Sequence, residues 1–219
     1  MFYDGPTQQD YVNIQAINRE FVKQLRDQPG RFGLDKLQAD RLRALGRQQL
    51  ERLASTPFLL LSLQENNEIA WRAICNADPN TDLFENGGTV DPGLSNLLAT
   101  TAGFLWQLAQ QNPHTVRLIC GASPGWCEMI TAMTYFELVT SIRNRADLPV
   151  IRQAPNTDIW GKLLVDGVRA ERHVRSAAHI AALQMLLTAC SGPGATSWPV
   201  AACKTKPQHL RVADEPRKP

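Results

Sequence analysis

At 219 residues the chain can bury a proper core, as one domain or as two small ones. Its 23 basic and 21 acidic residues nearly cancel, so no global field argues for nucleic acid. The opening MFYDGPTQQDYV lacks a basic start followed by an apolar run, so no secretory signal is expected, and no apolar run approaches the ~18–20 residues that a membrane span needs.

Residues 1–10 are polar and contain Gly5-Pro6, which predicts an N-terminal arm. From Tyr11 to Asp27, Val12, Ile14, Ile17, Phe21, Val22 and Leu25 recur at helical spacing, and Pro29-Gly30 ends that helix. Asp35 is placed to cap the next helix, which carries Leu37, Leu42 and Leu45. Gly46 supplies a turn, and Arg47–Ala54 resumes a helix with Leu50 and Leu53 inward. The pair has the outline of a helix-turn-helix, with Arg41, Arg43, Arg47 and Arg52 on it. Pro57 stops the pair. Phe58–Leu63 reads as a buried strand or extended core segment, and Asn67–Cys75 as a further helix with Trp71 in the core.

Asn76–Pro92 is rich in Asp, Asn, Gly and Pro and predicts a linker. A second helix runs from Leu94 to about Gln111 and breaks at Asn112-Pro113. An apolar run, Val116–Ile119, and a turn, Gly121–Gly125, come next. Trp126–Thr134 and Tyr135–Asn144 follow as another helix pair. Pro149–Ile151 parallels Phe58–Leu63, and Thr157–Val165 parallels Asn67–Cys75, with Trp160 near the place of Trp71. Val168–Ala189 predicts a last helix with Ala177, Ile180, Ala181, Leu183, Met185 and Leu186 on a broad apolar face. Arg169, Arg172, His173 and Arg175 crowd its first half, where positive charge opposes the helix dipole. From Ser191 onward Pro, Gly and charge dominate, which reads as a flexible tail, with Trp198 as its one docking residue.

The apolar frame of the chain thus reads as written twice. Phe21–Leu25 and Phe104–Leu108 share F-x-x-Q-L, Gly33 matches Gly121, Leu42–Leu45 matches Ile130–Met133, Leu50 matches Leu138, and Pro57-Phe58 matches Pro149-Val150. The expected fold is mainly α, with two tandem similar helical repeats, short extended segments, a C-terminal helix and a flexible tail. Its divisions are an arm at 1–10, repeats at 11–75 and 94–165, a linker at 76–93, the helix at 166–190 and the tail at 191–219.

Charge follows the same division. Residues 17–52 hold nine Lys/Arg and five Asp/Glu, residues 53–140 two and eight, and residues 141–175 seven and four. A basic zone in each half is a pattern that a nucleic-acid binder can use, and solvated helix faces produce it too. Gly121-Ala122-Ser123-Pro124-Gly125 matches G-x-S-x-G, with Asp158 or Asp166 and then His173 or His179 in the order of a hydrolase triad. No strand–helix alternation precedes it, and the matching place in the first half keeps Gly33 without a serine, so Gly121 reads as structural and no catalytic residue is assigned. Cys75, Cys120, Cys127, Cys190 and Cys203, and the four histidines, show no metal-ligand spacing. Free thiols in a reducing cytoplasm, with no metal or cofactor, are expected.

Phe104 to Arg152 resembles the flagellar master-regulator family FlhD/FlhC. The FlhD-like features are a helix ending in Gln110-Gln111, then Cys120-Gly121, then Ile130–Thr134 before a helix and an extended segment. Arg31–Leu63 is similar to the same FlhD segment, and Leu118–Ala122 and Pro155–Trp160 are similar to pieces of FlhC. The likeness extends to related activators encoded on integrative and conjugative elements, and it lacks the four-cysteine zinc site of FlhC. The resemblance implies a transcriptional activator subunit that binds promoter DNA together with a second regulator subunit. Its phosphate contacts would be Arg41, Arg43, Arg47, Arg52, Arg143, Arg145, Arg169, Arg172 and Arg175. The alternative is a protein–protein adaptor of the same fold without its own DNA contact, and a third reading is a serine hydrolase through Ser123. Self-association through the last helix is open as well.

Overall fold

The computed structural model describes residues 5–76, 91–143, 145–153 and 158–189. The chain is mainly helical, with ten α-helices among the described residues and one two-stranded ribbon. Helix α1 (Gln8–Asp27) begins three residues earlier than the apolar stripe predicts. Thr7 accepts the Asp10 amide at 3.2 Å and Asp10 reaches back to the Thr7 amide at 2.7 Å, a reciprocal cap that ends the arm at Thr7. Ile14, Ile17, Phe21, Val22 and Leu25 are buried, but Val12 is half exposed, because it lies off that stripe. Burying side chains such as Phe21 and Leu25 stabilises by about 1.5–3 kcal/mol each.

A 3-10 turn (Pro29–Phe32) closes on Gly33, whose φ of 86° only glycine adopts without strain. Helices α2 (Lys36–Ala44) and α3 (Arg47–Ala54) follow. Asp35 caps α2 by accepting the Gln38 amide at 2.8 Å, as its position suggests. Of the leucines that this helix carries, Leu37 is 62% exposed, because Ala39 and Leu42 take the inner face.

The chain then runs through the buried stretch Phe58–Leu61 into strand β1 (Leu61–Ser62) and helix α4 (Glu68–Cys75). Buried Asn18 of α1 fixes that path. Its amide group donates to the Phe58 carbonyl at 2.8 Å and the Thr56 hydroxyl at 3.0 Å, and its carbonyl accepts the Leu60 amide at 2.9 Å.

Helix α5 (Pro92–Gln111), capped by Asp91, starts two residues before Leu94. The run Val116–Ile119 lies inside helix α6 (Pro113–Cys120), which ends on Gly121 at φ 67°. Then come α7 (Pro124–Ala132), α8 (Tyr135–Ile142), strand β2 (Val150–Ile151), α9 (Ile159–Val165) and α10 (Arg172–Ala189). The two strands pair antiparallel, Leu61 with Ile151 and Ser62 with Val150. Helix α1 packs on α3 and α5. Helix α4 packs on α7 and α8, whereas α9 packs on α2.

The last helix begins at Arg172, four residues later than Val168, and its inner stripe is narrower than expected. His179, Ala182 and Leu186 are buried, while Ala177 and Ile180 are exposed. The reason is that α10 lies on α9 along one side. Most of the linker, Cys190 at the end of the expected last helix, and all of the tail, including Trp198, Cys203 and His209, lie outside the described residues. Among the described residues no helix is long and apolar enough to cross a membrane, and no group of His, Cys, Asp and Glu could hold a metal ion.

Candidate nucleic-acid interface

The nine arginines meet three different fates. Arg41, Arg47, Arg143 and Arg172 are exposed, and among the described residues none has an ion-pair or hydrogen-bond partner for its side chain. Arg43, Arg145 and Arg169 face carboxylates: Asp40 at 3.7 Å, Asp147 at 2.8 Å and Asp166 at 3.2 Å. The Arg145–Asp147 pair uses two parallel hydrogen bonds, of 2.9 and 2.8 Å. Those bonds raise the Arg145 pKa and hold the Asp147 carboxyl below its ordinary value. Arg52 and Arg175 serve the backbone. Arg52 donates to the Val168 carbonyl at 3.2 Å, and Arg175 to the carbonyls of Arg169 and Ala170 at 2.8 and 3.1 Å.

Position follows from the helices that carry them. Arg41, Arg43 and Arg47 flank the Leu45-Gly46 joint between α2 and α3. An open groove of about 480 Å³ runs beside Arg41, lined also by Leu37, Gln153 and Trp160, and Gln38 bonds across it to Asp158 at 2.9 Å. The Arg52–Val168 bond joins the end of α3 to the turn that holds Arg169, so those two zones adjoin. Arg169 precedes α10 rather than lying on it, which removes it from the helix face it was expected to share with Arg172 and Arg175. Arg143 sits at the C-cap of α8, which packs on α5 and α4 and so belongs to another part of the surface.

Arg152 contributes to the basic count of residues 141–175 but is 6% exposed and unavailable to a phosphate. Its guanidinium donates to the carbonyls of Leu59 and Leu61 at 2.7 Å each and to that of Cys120, and it pairs with buried Glu65 at 2.6 Å. Glu65 also accepts from the Ser62 hydroxyl at 2.6 Å. This polar knot ties β2 to β1 and to the end of α6. Sequence spacing gave no sign of it. The one available signal was Glu65 standing against the apolar run Phe58–Leu63.

Ser123 is the N-cap of α7, its hydroxyl accepting the Trp126 amide at 3.1 Å. His179 is committed elsewhere, its Nε2 lying 3.0 Å from the Gly167 carbonyl, and burial lowers its pKa below the ordinary value. Burial likewise raises the thiol pKa of Cys75 and Cys120 and pushes that of Cys127 up to about 11, so these are weak nucleophiles rather than activated ones. Two exposed aromatic residues, Tyr135 and Phe136, open α8. Sequence reasoning passed over them, although Leu138 and Ile142 define the inner face of α8 and leave Phe136 off it. Comparison with protein-family models, with curated proteins and with solved structures returns no match.

Proposed function

We propose that the chain is a non-enzymatic, cytoplasmic, DNA-binding subunit of a transcriptional activator of the FlhD/FlhC type, acting in a hetero-oligomer. The observation that carries this reading is the set of exposed arginines whose side chains have no partner among the described residues. Arg41 and Arg47 flank one helix joint, with Arg172 opening α10 and Arg143 closing α8. Cations without carboxylate partners leave a local positive potential to which phosphates respond.

The architecture we propose is two tandem similar repeats, 94–165 echoing 11–75. What supports it is the recurrence of long helix, short helical segment (the 3-10 turn Pro29–Phe32 in one half, α6 in the other), helix pair, two-residue strand and helix in one order. Gly33 and Gly121 both close that short helical segment with positive φ. Trp71 donates its indole N–H to the Leu63 carbonyl at 3.0 Å, and Trp160 donates to the Arg152 carbonyl at 2.9 Å, each eight residues back. The antiparallel pairing of β1 with β2, with α4 on the second helix pair and α9 on the first, is the pattern of two units that exchange their last segments. In this alignment Leu61-Ser62 corresponds to Val150-Ile151, which replaces the Pro57-Phe58 match. Buried Phe21 corresponds to buried Leu105 rather than to Phe104.

The test is fluorescence anisotropy of a labelled DNA duplex at several salt concentrations. Losing two phosphate contacts in R41A/R47A should make the slope of log K against log salt shallower by about 2. A wild-type chain that binds with no salt dependence, or does not bind, overturns the reading. The adaptor reading then stands. It is favoured by the five arginines already engaged by carboxylates or carbonyls.

A further inference from the structure

Helices α2 and α3 both pack on α1, and the two-residue joint Leu45-Gly46 turns the chain between them. Leu42, Leu45, Leu53 and Ala54 are buried on the inner side of that joint. Helix α3 is therefore covered toward its end, whereas Arg47 and Gln48, in its first turn, are exposed. In a helix-turn-helix it is the first turn of the second helix that carries side chains to the base edges.

The polar side chains of α3 divide by what they already hold. Gln49 accepts the Gly46 amide at 2.9 Å and so starts the helix, Glu51 pairs with Arg19 at 2.9 Å, and Arg52 is turned to the Val168 carbonyl. Arg47 and Gln48 remain, without a side-chain partner among the described residues. Arg47 is a cation, which phosphates attract whatever the sequence. Gln48 is neutral, so counterion release gives it no share in affinity. Its carboxamide sets an acceptor beside donors, the complement of the N6–H and N7 edge of adenine in the major groove.

The other helix pair supplies the contrast. Lys36 and Pro124, Arg47 and Tyr135, and Gly33 and Gly121, which start or stop matching elements, each stand 88 residues apart. At that spacing Arg41, Gly46, Arg47 and Gln48 correspond to Met129, Thr134, Tyr135 and Phe136. The Thr134 amide and hydroxyl both donate to Glu137 and hold its carboxyl below the ordinary pKa, so the first turn of α8 carries a negative charge and two aromatic rings. Such a turn repels phosphate and offers bases no paired donor and acceptor.

We infer that Gln48 is the specificity-determining residue of the DNA face, reading one adenine through its carboxamide, and that a single chain reads one block of sequence rather than two. The inference rests on the DNA-binding reading above. It goes beyond that reading because phosphate contacts supply affinity without sequence choice.

The test is selection by the full chain from a duplex pool randomised over about one helical turn, ~10 base pairs. The wild type should enrich a single block with one A·T pair favoured roughly 5- to 100-fold over other pairs at its position. Q48A should bring that preference to within about twofold and leave the salt slope of binding unchanged, whereas R41A should make the slope shallower by about 1 and keep the preference. Q48R should move the preference at the same position to G·C, since arginine pairs with the guanine edge. All three variants alter exposed side chains, and circular dichroism checks that they fold. Salt-dependent binding in which Q48A and Q48R keep the wild-type preference, or in which the wild type enriches no block, overturns this inference and leaves the phosphate reading standing. A preference lost equally in Q49A also overturns it, since the seating of α3 rather than Gln48 then sets the choice. A wild type with no salt-dependent binding overturns both.

Discussion

Replacing Arg152 by methionine tests the knot that joins the two halves of the chain. The substitution keeps an apolar stem of similar reach and removes every donor. Glu65, 1% exposed, would keep the Ser62 hydroxyl and lose its counter-charge, and the carbonyls of Leu59, Leu61 and Cys120 would lose the guanidinium. Removing one partner of a buried ion pair costs about 3–5 kcal/mol, because the remaining charge is left uncompensated. Whole-domain stability is only about 5–15 kcal/mol. The variant should therefore lose a large share of it, with a melting temperature lower by about 10–15 °C at this chain length. Urea unfolding followed by tryptophan fluorescence suits the measurement, since Trp71, Trp126 and Trp160 are all buried and Trp71 meets Trp126 edge-to-face at 5.2 Å. The paired variant R152M/E65L removes both charges and should recover part of the loss, giving a favourable coupling in the double-mutant cycle. A loss below about 1 kcal/mol for R152M, or a double variant less stable than either single one, would refute the argument that a compensated buried charge holds this junction.

Two further outcomes follow from single groups. Burial holds His179 neutral in the folded chain, below its ordinary pKa of 6.5. As pH falls through that ordinary value the unfolded chain takes up the proton first, so stability is complete above it and is lost toward acid. Urea titrations at about pH 7.5 and about pH 5 should show a larger acid loss for wild type than for H179Q, and equal losses would mean that His179 is not held neutral. Gly121→Ala forces a Cβ into the left-handed region at φ 67°. It should cost roughly 1–2 kcal/mol, whereas Gly30→Ala, which meets nothing within 4 Å, serves as the neutral control. Indistinguishable melting curves for the two would remove the strain argument.

Much of the helical plan was legible because local rules wrote it. Asp35, Asn112-Pro113, Pro29 and Gly121 each start or stop an element through a cap, a missing N–H or a permitted φ, and none of these needs a distant partner. The burial of Phe21, Leu25, Leu42, Leu53 and Trp71 could be read from periodicity for the same reason. Leu37, Val12 and Ile180 could not, because which side of a helix is covered depends on the neighbour that covers it. The arginines show the limit most clearly. Composition treats Arg47, Arg52 and Arg152 alike, as three positive charges in two basic zones. Tertiary contact leaves the first in solvent, turns the second to the Val168 carbonyl, and buries the third against Glu65 and three carbonyls. Charge is a property of the residue, and the sequence by itself determined how much of it there is and on which helices. Whether a given charge is free to meet a partner depends on what the fold places within about 4 Å of it, and only the tertiary structure decided that.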